Sequence, residues 1–535
     1  MIGTAFVMLG APSPASAQNL AVASTAPGLN ANNVARTGSV AVTFDRPVNT
    51  ALFTPANFKV FGKVSGPSVG TLTFSNANQT VTFAHAAPFI TGEVVMVVMS
   101  HNLRGADSTF LRSAGYTFEF TVAARGAHHV FKQKAVISNR DGGGTGPQTR
   151  IYGGLACDLN HDGWCDMTTI NEVSADMRVF LNHANGTVFG PTQVRPYTPI
   201  PFESSPNEVG DFDGDGNVDV VTSSDGTGQI AICFGNGDGT FRTPVLVNVG
   251  TNPRGFGILD ANGDGFLDIA VADAVTYNVV LLLNDGTGHF GAPINIPVTG
   301  GPYGMTAADM NNDGILDLVV GCRDDQTCKI LRGNGNGTFT QVSSRPIGGA
   351  NWVVVCGDLN GDGRMDVSAA NSGSANGSIL LGNGDGTLQP AIIQPTGGHT
   401  VSTDLADIDG DGDLDWIISS YGAGLWYVYL NDGTGHFTPL TQIVAPANPS
   451  CCVPMDIDND GDIDLVLTDE IADVLVVMVS VCPGDFNLDN TVAVQDIFDF
   501  LAAWFAGQPS ANFNGVGGLT VQDIFDFLGA WFAPC

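Results

Sequence analysis

Aspartate and asparagine residues set two apart carry most of the chemistry this sequence can do. The fullest run, Asp211-Phe212-Asp213-Gly214-Asp215-Gly216-Asn217-Val218-Asp219, has carboxylates at loop positions 1, 3, 5 and 9. Variants of it begin at Asp158, Asp211, Asp260, Asp309, Asp358, Asp407 and Asp456. The first interval is 53 residues and the other five are all 49, a regularity that marks one structural unit used seven times. Oxygen ligands in this number suit a hard cation that takes roughly six to eight of them, which is Ca²⁺. Glycine at position 6 allows the sharp turn that converges them. Solvated acidic turns without metal would explain one such run, but not seven in register.

The ligands expected in the first loop are Asp158, Asn160, Asp162 and Asp166, and in the second Asp211, Asp213, Asp215 and Asp219. Asp260, Asn262, Asp264 and Asp268 follow, then Asp309, Asn311, Asp313 and Asp317. The fifth loop has Asp358, Asn360, Asp362 and Asp366, and the sixth has Asp407, Asp409, Asp411 and Asp415. Asp456, Asp458, Asp460 and Asp464 complete the series, so about seven Ca²⁺ are expected here. An EF-hand would need a carboxylate at position 12 opening a helix. Position 12 is instead Thr222, Ile418 or Leu467, inside β-rich runs such as VDVVTSS and IDLVLTD. Each loop therefore reads as a hairpin turn between two strands.

The chain that positions these loops has 535 residues, enough for three or four domains, and a net charge of −33. That charge argues against nucleic acid and anionic membrane as partners. Of the 53 acidic residues, 24 are aspartates at positions 1, 3, 5 and 9 of the seven loops. The charge thus sits mainly in candidate metal sites, and seven Ca²⁺ would offset about 14 units of it. The 69 glycines and the low charged fraction of 14% suit short strands joined by tight turns.

Residues 1–17, MIGTAFVMLGAPSPASA, have an apolar run and an A-x-A-type site at Ala15-Ser16-Ala17, which reads as a secretory signal. No later stretch reaches the ~18 apolar residues of a membrane helix. Residues 18–124 alternate as β-strands, among them SVAVTFDRPV, NFKVFG, TVTFAHA and YTFEFTV, and predict a β-sandwich. VAVTFDRPVN, ANFKVFG, TGEVVMVV and YTFEFTV resemble bacterial Ig-like domains. The resemblance implies a structural or adhesive spacer without a metal or catalytic cluster, in a protein secreted by a bacterium or held on its surface.

Residues 125–481 hold the seven loops. The copy from Gly301 reads as strand PYGMTAAD, loop DMNNDGILD, strand LDLVVGC, strand CKILRG and turn GNGNGT, with a further strand opening at Phe339. Four strands per 49 residues is the unit of a β-propeller blade. DxDGDGxxD combined with GNGDGTF (235–241) and GNGNGTF (333–339) resembles the FG-GAP or VCBS repeats of integrin-like propellers, which implies a seven-bladed β-propeller. No turn motif follows the seventh loop, whereas an unaccompanied strand, VFKQKAVIS (130–138), precedes the first. That strand is expected to complete the last blade beside 474–481 and remove an open edge. A β-solenoid is the alternative, with a far shorter period. Six residues ahead of each loop, Tyr152, Arg254, Tyr303 and Trp352 are expected among those ringing a central channel on the face opposite the loops. They could bind a glycan or protein ligand, or simply plug the channel. There is no H-E-x-x-H and no G-x-S-x-G, so an enzyme is not expected. The alternative function is an extracellular polysaccharide-processing enzyme, or a carbohydrate-binding component accessory to one.

From 482 to 535 the β pattern stops, and VQDIFDFLAAWFAG (494–507) recurs as VQDIFDFLGAWFAP (521–534) with helical spacing. Asp485, Asn487, Asp489, Thr491 and Asp496 stand at positions 1, 3, 5, 7 and 12 of a loop that opens a helix. Two such loop–helix units resemble a dockerin, which implies one or two further Ca²⁺ and a cohesin-like or cell-surface protein partner. The second copy departs at Asn512, Asn514, Val516 and Gly518, leaving Asp523 as its only carboxylate. Ten cysteines behind a signal favour disulfides; Cys482–Cys535, Cys322–Cys328 and Cys157–Cys165 are the candidates.

Overall fold

A computed structural model describes residues 19–126, 130–183, 189, 197–200, 204–224, 227–514 and 517–532. The signal expected at 1–17, Val516 and the Cys482–Cys535 pairing, through Cys535, fall outside the described residues.

Residues 22–122 form a two-sheet sandwich. Alternation along Val40–Phe44 buries Val40, Val42 and Phe44 and leaves Ala41 and Thr43 half-buried, as a strand with one face on a core must. One sheet has the order Val22–Ala26, Val40–Phe44, Thr80–His85, Gly70–Ser75. The other has five strands, with Val94–Met99 between Tyr116–Val122 and Phe58–Gly62. Phe44, Phe58, Val95, Val97, Phe118 and Phe120 fill the space between them.

Seven four-stranded antiparallel sheets follow. The fourth shows the plan: Pro302–Ala308, the loop, Asp317–Cys322, Thr327–Gly333 and Phe339–Pro346. In all seven sheets the second strand is buried at every position. Sheets on both sides cover it, which explains why runs such as DLVVGC do not alternate. The first strand of each sheet packs against the first strand of the next, and Ile151–Cys157 packs in the same way against Pro449–Met455. A repeated side-chain bond marks these joints. Asn284 Nδ2 donates to the Phe212 carbonyl at 2.7 Å, Asn431 to that of Leu359 at 2.7 Å, and Asn182 to that of Ile457 at 2.6 Å. The last of these joins the first sheet to the seventh. The sheets remain separate hydrogen-bonded ladders in a propeller-like array, not a solenoid. Phe131–Ser138 is the outer strand of the seventh sheet, with Phe131 opposite Ser480 and Ser138 opposite Val474, so it covers an edge that would otherwise be bare.

The eight cysteines from Cys157 to Cys452 are free thiols, which overturns the two disulfides expected within the ring. Register is the reason. Cys328 faces Gly321 and Cys322 faces Thr327, so the two cysteines are one residue out of step and point to opposite sides of the sheet. Cys322 and Cys328 accordingly lie in different hydrophobic clusters, as do Cys157 and Cys165.

The Ig-like module is not a free spacer. It sits on the loop face of the ring: Asp158 N–H donates to Val64 O at 2.8 Å, His101 N–H to Gly263 O at 2.7 Å, Thr117 N–H to Gly314 O at 2.9 Å and Arg125 N–H to Gly461 O at 2.6 Å. At the other end, helices Val494–Phe505 and Val521–Trp531 stack Phe500 on Phe527 with centroids 4.2 Å apart. Trp504 Nε1 donates to Thr520 O and Trp531 Nε1 to Ala493 O, at 3.0 and 2.9 Å, the same contact made twice about a local two-fold. No helix among the described residues is long and apolar enough to cross a membrane.

Candidate metal centres and axial cavity

Each loop in the ring is wound by its own aspartates. The first carboxylate takes the N–H of position 6: Gly163 on Asp158 at 3.0 Å, Gly265 on Asp260 at 2.8 Å, Gly314 on Asp309 at 2.7 Å and Gly461 on Asp456 at 3.1 Å. The ninth-position aspartate starts the second strand, and both its oxygens bind backbone. Asp219 accepts from Phe212 N–H at 2.8 Å and Gly235 N–H at 2.9 Å; Asp415 accepts from Ile408 N–H at 2.8 Å and Asn431 N–H at 2.7 Å. Asp166, Asp268, Asp317, Asp366 and Asp464 repeat the arrangement. These residues are therefore strand staples as well as candidate ligands, a role that their spacing did not reveal. Burial pushes Asp166, Asp219, Asp317 and Asp415 up to about 8, against the pull of those N–H groups.

Three loops converge their carboxylates most closely. Ligand oxygens of Asp211, Asp213 and Asp219 lie within 4.8 Å of one another, as do those of Asp407, Asp409 and Asp415, and of Asp456, Asp458 and Asp460. Asp211 Oδ1, Asp407 Oδ1 and Asp458 Oδ1 are buried without a hydrogen-bond partner among the described residues. Buried anionic oxygens left unpaired at the centre of an acidic cluster are what a hard cation would satisfy, so the residues present fit Ca²⁺. Where the third position is asparagine, its amide bonds within the loop, as Asn262 Nδ2 does to Asp264 at 2.9 Å. Cations from outside the loops lie close by: Lys134 Nζ is 3.1 Å from Asp458 Oδ2, and Arg36 is 3.9 Å from Asp456.

In the C-terminal module Asp485 and Asp496 are fully buried. Asp485 accepts the N–H of Leu488 at 2.8 Å and of Asn490 at 2.9 Å, and Asp496 accepts those of Phe486 and Ala493 at 2.9 and 2.7 Å. Asn487 and Asp489 line the same turn, where Thr491 N–H donates to Asp489 at 3.0 Å. In the second copy Asn512 Nδ2 donates to Gly517 O at 3.0 Å, a bond no carboxylate could make.

The opposite face of the ring opens on a cavity of about 440 Å³ along the inner strands, lined in part by Tyr152, Trp352, His399, Tyr421, Glu208 and Asp404. An aromatic arc runs round its wall, with centroids 4.9 Å apart for Tyr303–Trp352, 5.5 Å for Trp352–His399 and 6.2 Å for His399–Tyr421. The Arg254 guanidinium lies 5.0 Å over Tyr303, and Arg323 lies 5.0 Å from both Tyr303 and Trp352. Of the four positions singled out in the sequence, Tyr152 and Trp352 line the cavity, while Arg254 and Tyr303 are buried behind its wall; Arg323, His399 and Tyr421 join them from turns and strand ends. Deeper in, Glu208 and Asp404 escaped sequence reasoning. The signal was there: both stand three residues ahead of a loop, where the other five sheets have Leu, Gly, Thr, Val and Val. Burial raises both carboxyls, Asp404 to about 7. Lys63 reaches them from the Ig-like module; burial pulls its ammonium down, but Glu119, Glu208 and Asp404 leave it raised.

Overlapping matches to an FG-GAP-like repeat cover residues 158–222, 211–271, 260–320, 310–369, 358–418 and 407–467, an unbroken span of more than half the chain. The chain belongs to the FG-GAP-like repeat family. A bacterial Ig-like domain matches residues 16–122, and both domain types are typical of extracellular or surface proteins. No curated protein matches the chain. Among solved structures, BBS1N in complex with ARL6DN is 12% identical over 66% of this chain and 97% of that one, with a TM-score of 0.46. A catalytically inactive virginiamycin B lyase from Staphylococcus aureus with quinupristin is 14% identical over 65% of this chain and 99% of its own, with a TM-score of 0.44. Neither likeness says what the FG-GAP-like ring of this chain binds.

Proposed function

We propose that this is a secreted or cell-surface protein that acts by binding or adhesion, without catalysis. In this reading the seven sheets form a seven-bladed β-propeller stabilised by about seven Ca²⁺. The C-terminal module is dockerin-like, holds one further Ca²⁺, and attaches the protein to a cohesin-like or cell-surface partner. One observation carries the binding role: the two faces of the ring are used differently. The loop face is taken up by candidate metal sites and the docked Ig-like module, which leaves the aromatic-walled cavity on the other face for a glycan or protein ligand. Attachment draws support from Phe498, Phe505, Phe525 and Phe532, each more than 60% exposed and related in pairs by the repeat.

The half-buried cavity carboxyls Glu208 and Asp404 favour a second reading, a polysaccharide-processing enzyme in which one protonates a leaving group and the other activates water or attacks. A glycan array run beside a reducing-sugar release assay separates the two. Retention of glycans without release is expected. Release that Glu208→Gln or Asp404→Asn abolishes would establish the enzyme instead.

A further inference from the structure

We propose that the axial cavity is a blind pocket that takes the terminal unit of a glycan end-on and prefers an amine-bearing sugar. This rests on the binding reading above and adds the floor of the site and the orientation of its ligand. The Ig-like module closes the loop-face end of the ring through the four backbone bonds described above, made to four different loops. Its Lys63 lines a recess that shares Glu208 and Thr306 with the cavity. A polymer cannot thread such a channel, so only a chain end can enter.

The floor has the polarity to hold that end. Asp404 Oδ1 accepts the N–H of Leu405 at 2.9 Å, and Glu208 takes that of Val209; the remaining acceptor capacity of both carboxyls faces the cavity they line. Asn207, beside them, is only 8% exposed and lines the same cavity, and its Nδ2 has no partner among the described residues. An unmet amide donor beside two cavity-lining carboxyls matches sugar hydroxyls. The floor is locally acidic: Glu208 and Asp404 line it, and the Lys63 ammonium behind them is already 4.0 Å from Glu119, while the guanidinium groups of Arg150, Arg254 and Arg323 belong to the wall and strand entries. A ligand ammonium at the floor would pair with those carboxyls, and Trp352 and His399 on the cavity wall offer flat faces for a pyranose ring. If the carboxyls served only to hold Lys63, Lys63→Met would leave sugar affinity unchanged. In a ligand site, removing that competing cation strengthens ammonium binding.

The test titrates the calcium-loaded full chain calorimetrically with D-glucosamine and D-glucose, and with maltohexaose and α-cyclodextrin, which share a repeat unit but differ in having an end. Glucosamine is expected to bind about tenfold more tightly than glucose. Maltohexaose should bind and cyclodextrin should not. Glu208→Gln and Asp404→Asn should each remove the glucosamine preference without moving the melting midpoint. Cyclodextrin binding as well as maltohexaose, or a preference that survives both substitutions, overturns the proposal. Loss of sugar binding in Trp352→Ala with no effect of either floor substitution leaves the binding reading standing and the floor inference refuted. Silence with all four sugars overturns this proposal and leaves the binding reading to the glycan array.

Discussion

The loop at Asp456 and the loop at Asp485 begin alike and end differently. In each, the first aspartate takes the N–H groups of positions 5 and 6: Asp460 and Gly461 at 3.0 and 3.1 Å on Asp456, Asp489 and Asn490 at 3.3 and 2.9 Å on Asp485. The closing carboxylate then arrives at position 9 in one and position 12 in the other. Asp464 opens a wholly buried strand, whereas Asp496 is the third residue of a helix and takes the N–H of Ala493 at 2.7 Å. The same aspartate-wrapped turn therefore precedes either element. The apolar period behind it decides which: a continuous run in IDLVLTD, a helical stripe in VQDIFDFLAAWF. Their surroundings differ too. The ring loops present unpaired buried carboxylate oxygens, while the C-terminal loops lean on a stacked Phe500–Phe527 core that needs no ion.

Chelation should separate the two regions most sharply. At a free Ca²⁺ concentration a hundred times Kd, each occupied site adds about 2.7 kcal/mol to the folded state. Seven ring sites against one in the C-terminal module imply a fall of more than about 10 °C in the main calorimetric transition on adding EDTA. The helical signal at 222 nm should shift far less. Equal main midpoints with and without chelator would remove the metal role from all seven loops, and the comparison with it.

A smaller effect follows from protons replacing calcium. In the ring, burial holds Asp166, Asp219, Asp317 and Asp415 near 8, against about 3.9 in an unfolded chain. Between those values the folded state binds more protons than the unfolded one. Stability contributed by these groups is thus present at low pH and lost as pH rises from about 4 to 8, by at most about 1.4 kcal/mol per pH unit for each carboxyl. In EDTA the ring should melt higher at pH 5 than at pH 8. In calcium, which takes the ionised form, the order should reverse. Asp489 and Asp523 are shifted down by hydrogen bonds from Thr491 and Thr520, opposing the burial that raises Asp485, so the C-terminal module should show a much weaker trend. Parallel pH profiles with and without calcium would break the contrast.

What was legible in the sequence was whatever repeats. Seven copies, five of their six intervals being 49 residues, yielded the four-stranded unit, the loop positions and the placing of Tyr152 and Trp352 on one cavity, because each inner strand enters from the same face. The unmatched strand at 130–138 could be placed because the seventh copy lacked its outer strand. Contacts between modules stayed hidden. Nothing local to His101, Lys63 or Val64 says that the Ig-like domain turns back onto the loops. The only hint is global: 11 of the 20 Lys and Arg residues lie within the first 150 positions of a strongly acidic chain. The disulfide expectations failed for a related reason. Spacing reports that Cys322 and Cys328 are near, but only register reports that they sit on opposite faces.

The smallest expected effect lies inside the C-terminal pair, where one loop kept its carboxylates and its twin did not. Asp485, Asp489 and Asp496 supply three carboxylates around one turn, whereas the second copy has Asp523 alone and closes itself with the Asn512–Gly517 bond. An amide that donates to its own loop does part of what a cation would do, so the second turn holds its shape without one. Asp489→Ala should lower the number of calcium ions bound per full-length chain by one and leave the main melting transition unmoved, because no ring loop is touched. Asn512→Asp should not raise the count, since a second carboxylate is still short of the oxygens Ca²⁺ requires. It should cost about 1 kcal/mol or less through the lost amide bond, read as a shift of the 222 nm transition alone. A count that Asp489→Ala does not change, or one that Asn512→Asp raises by a full tight site, would show that the two loops are equivalent and that carboxylate number does not set occupancy here.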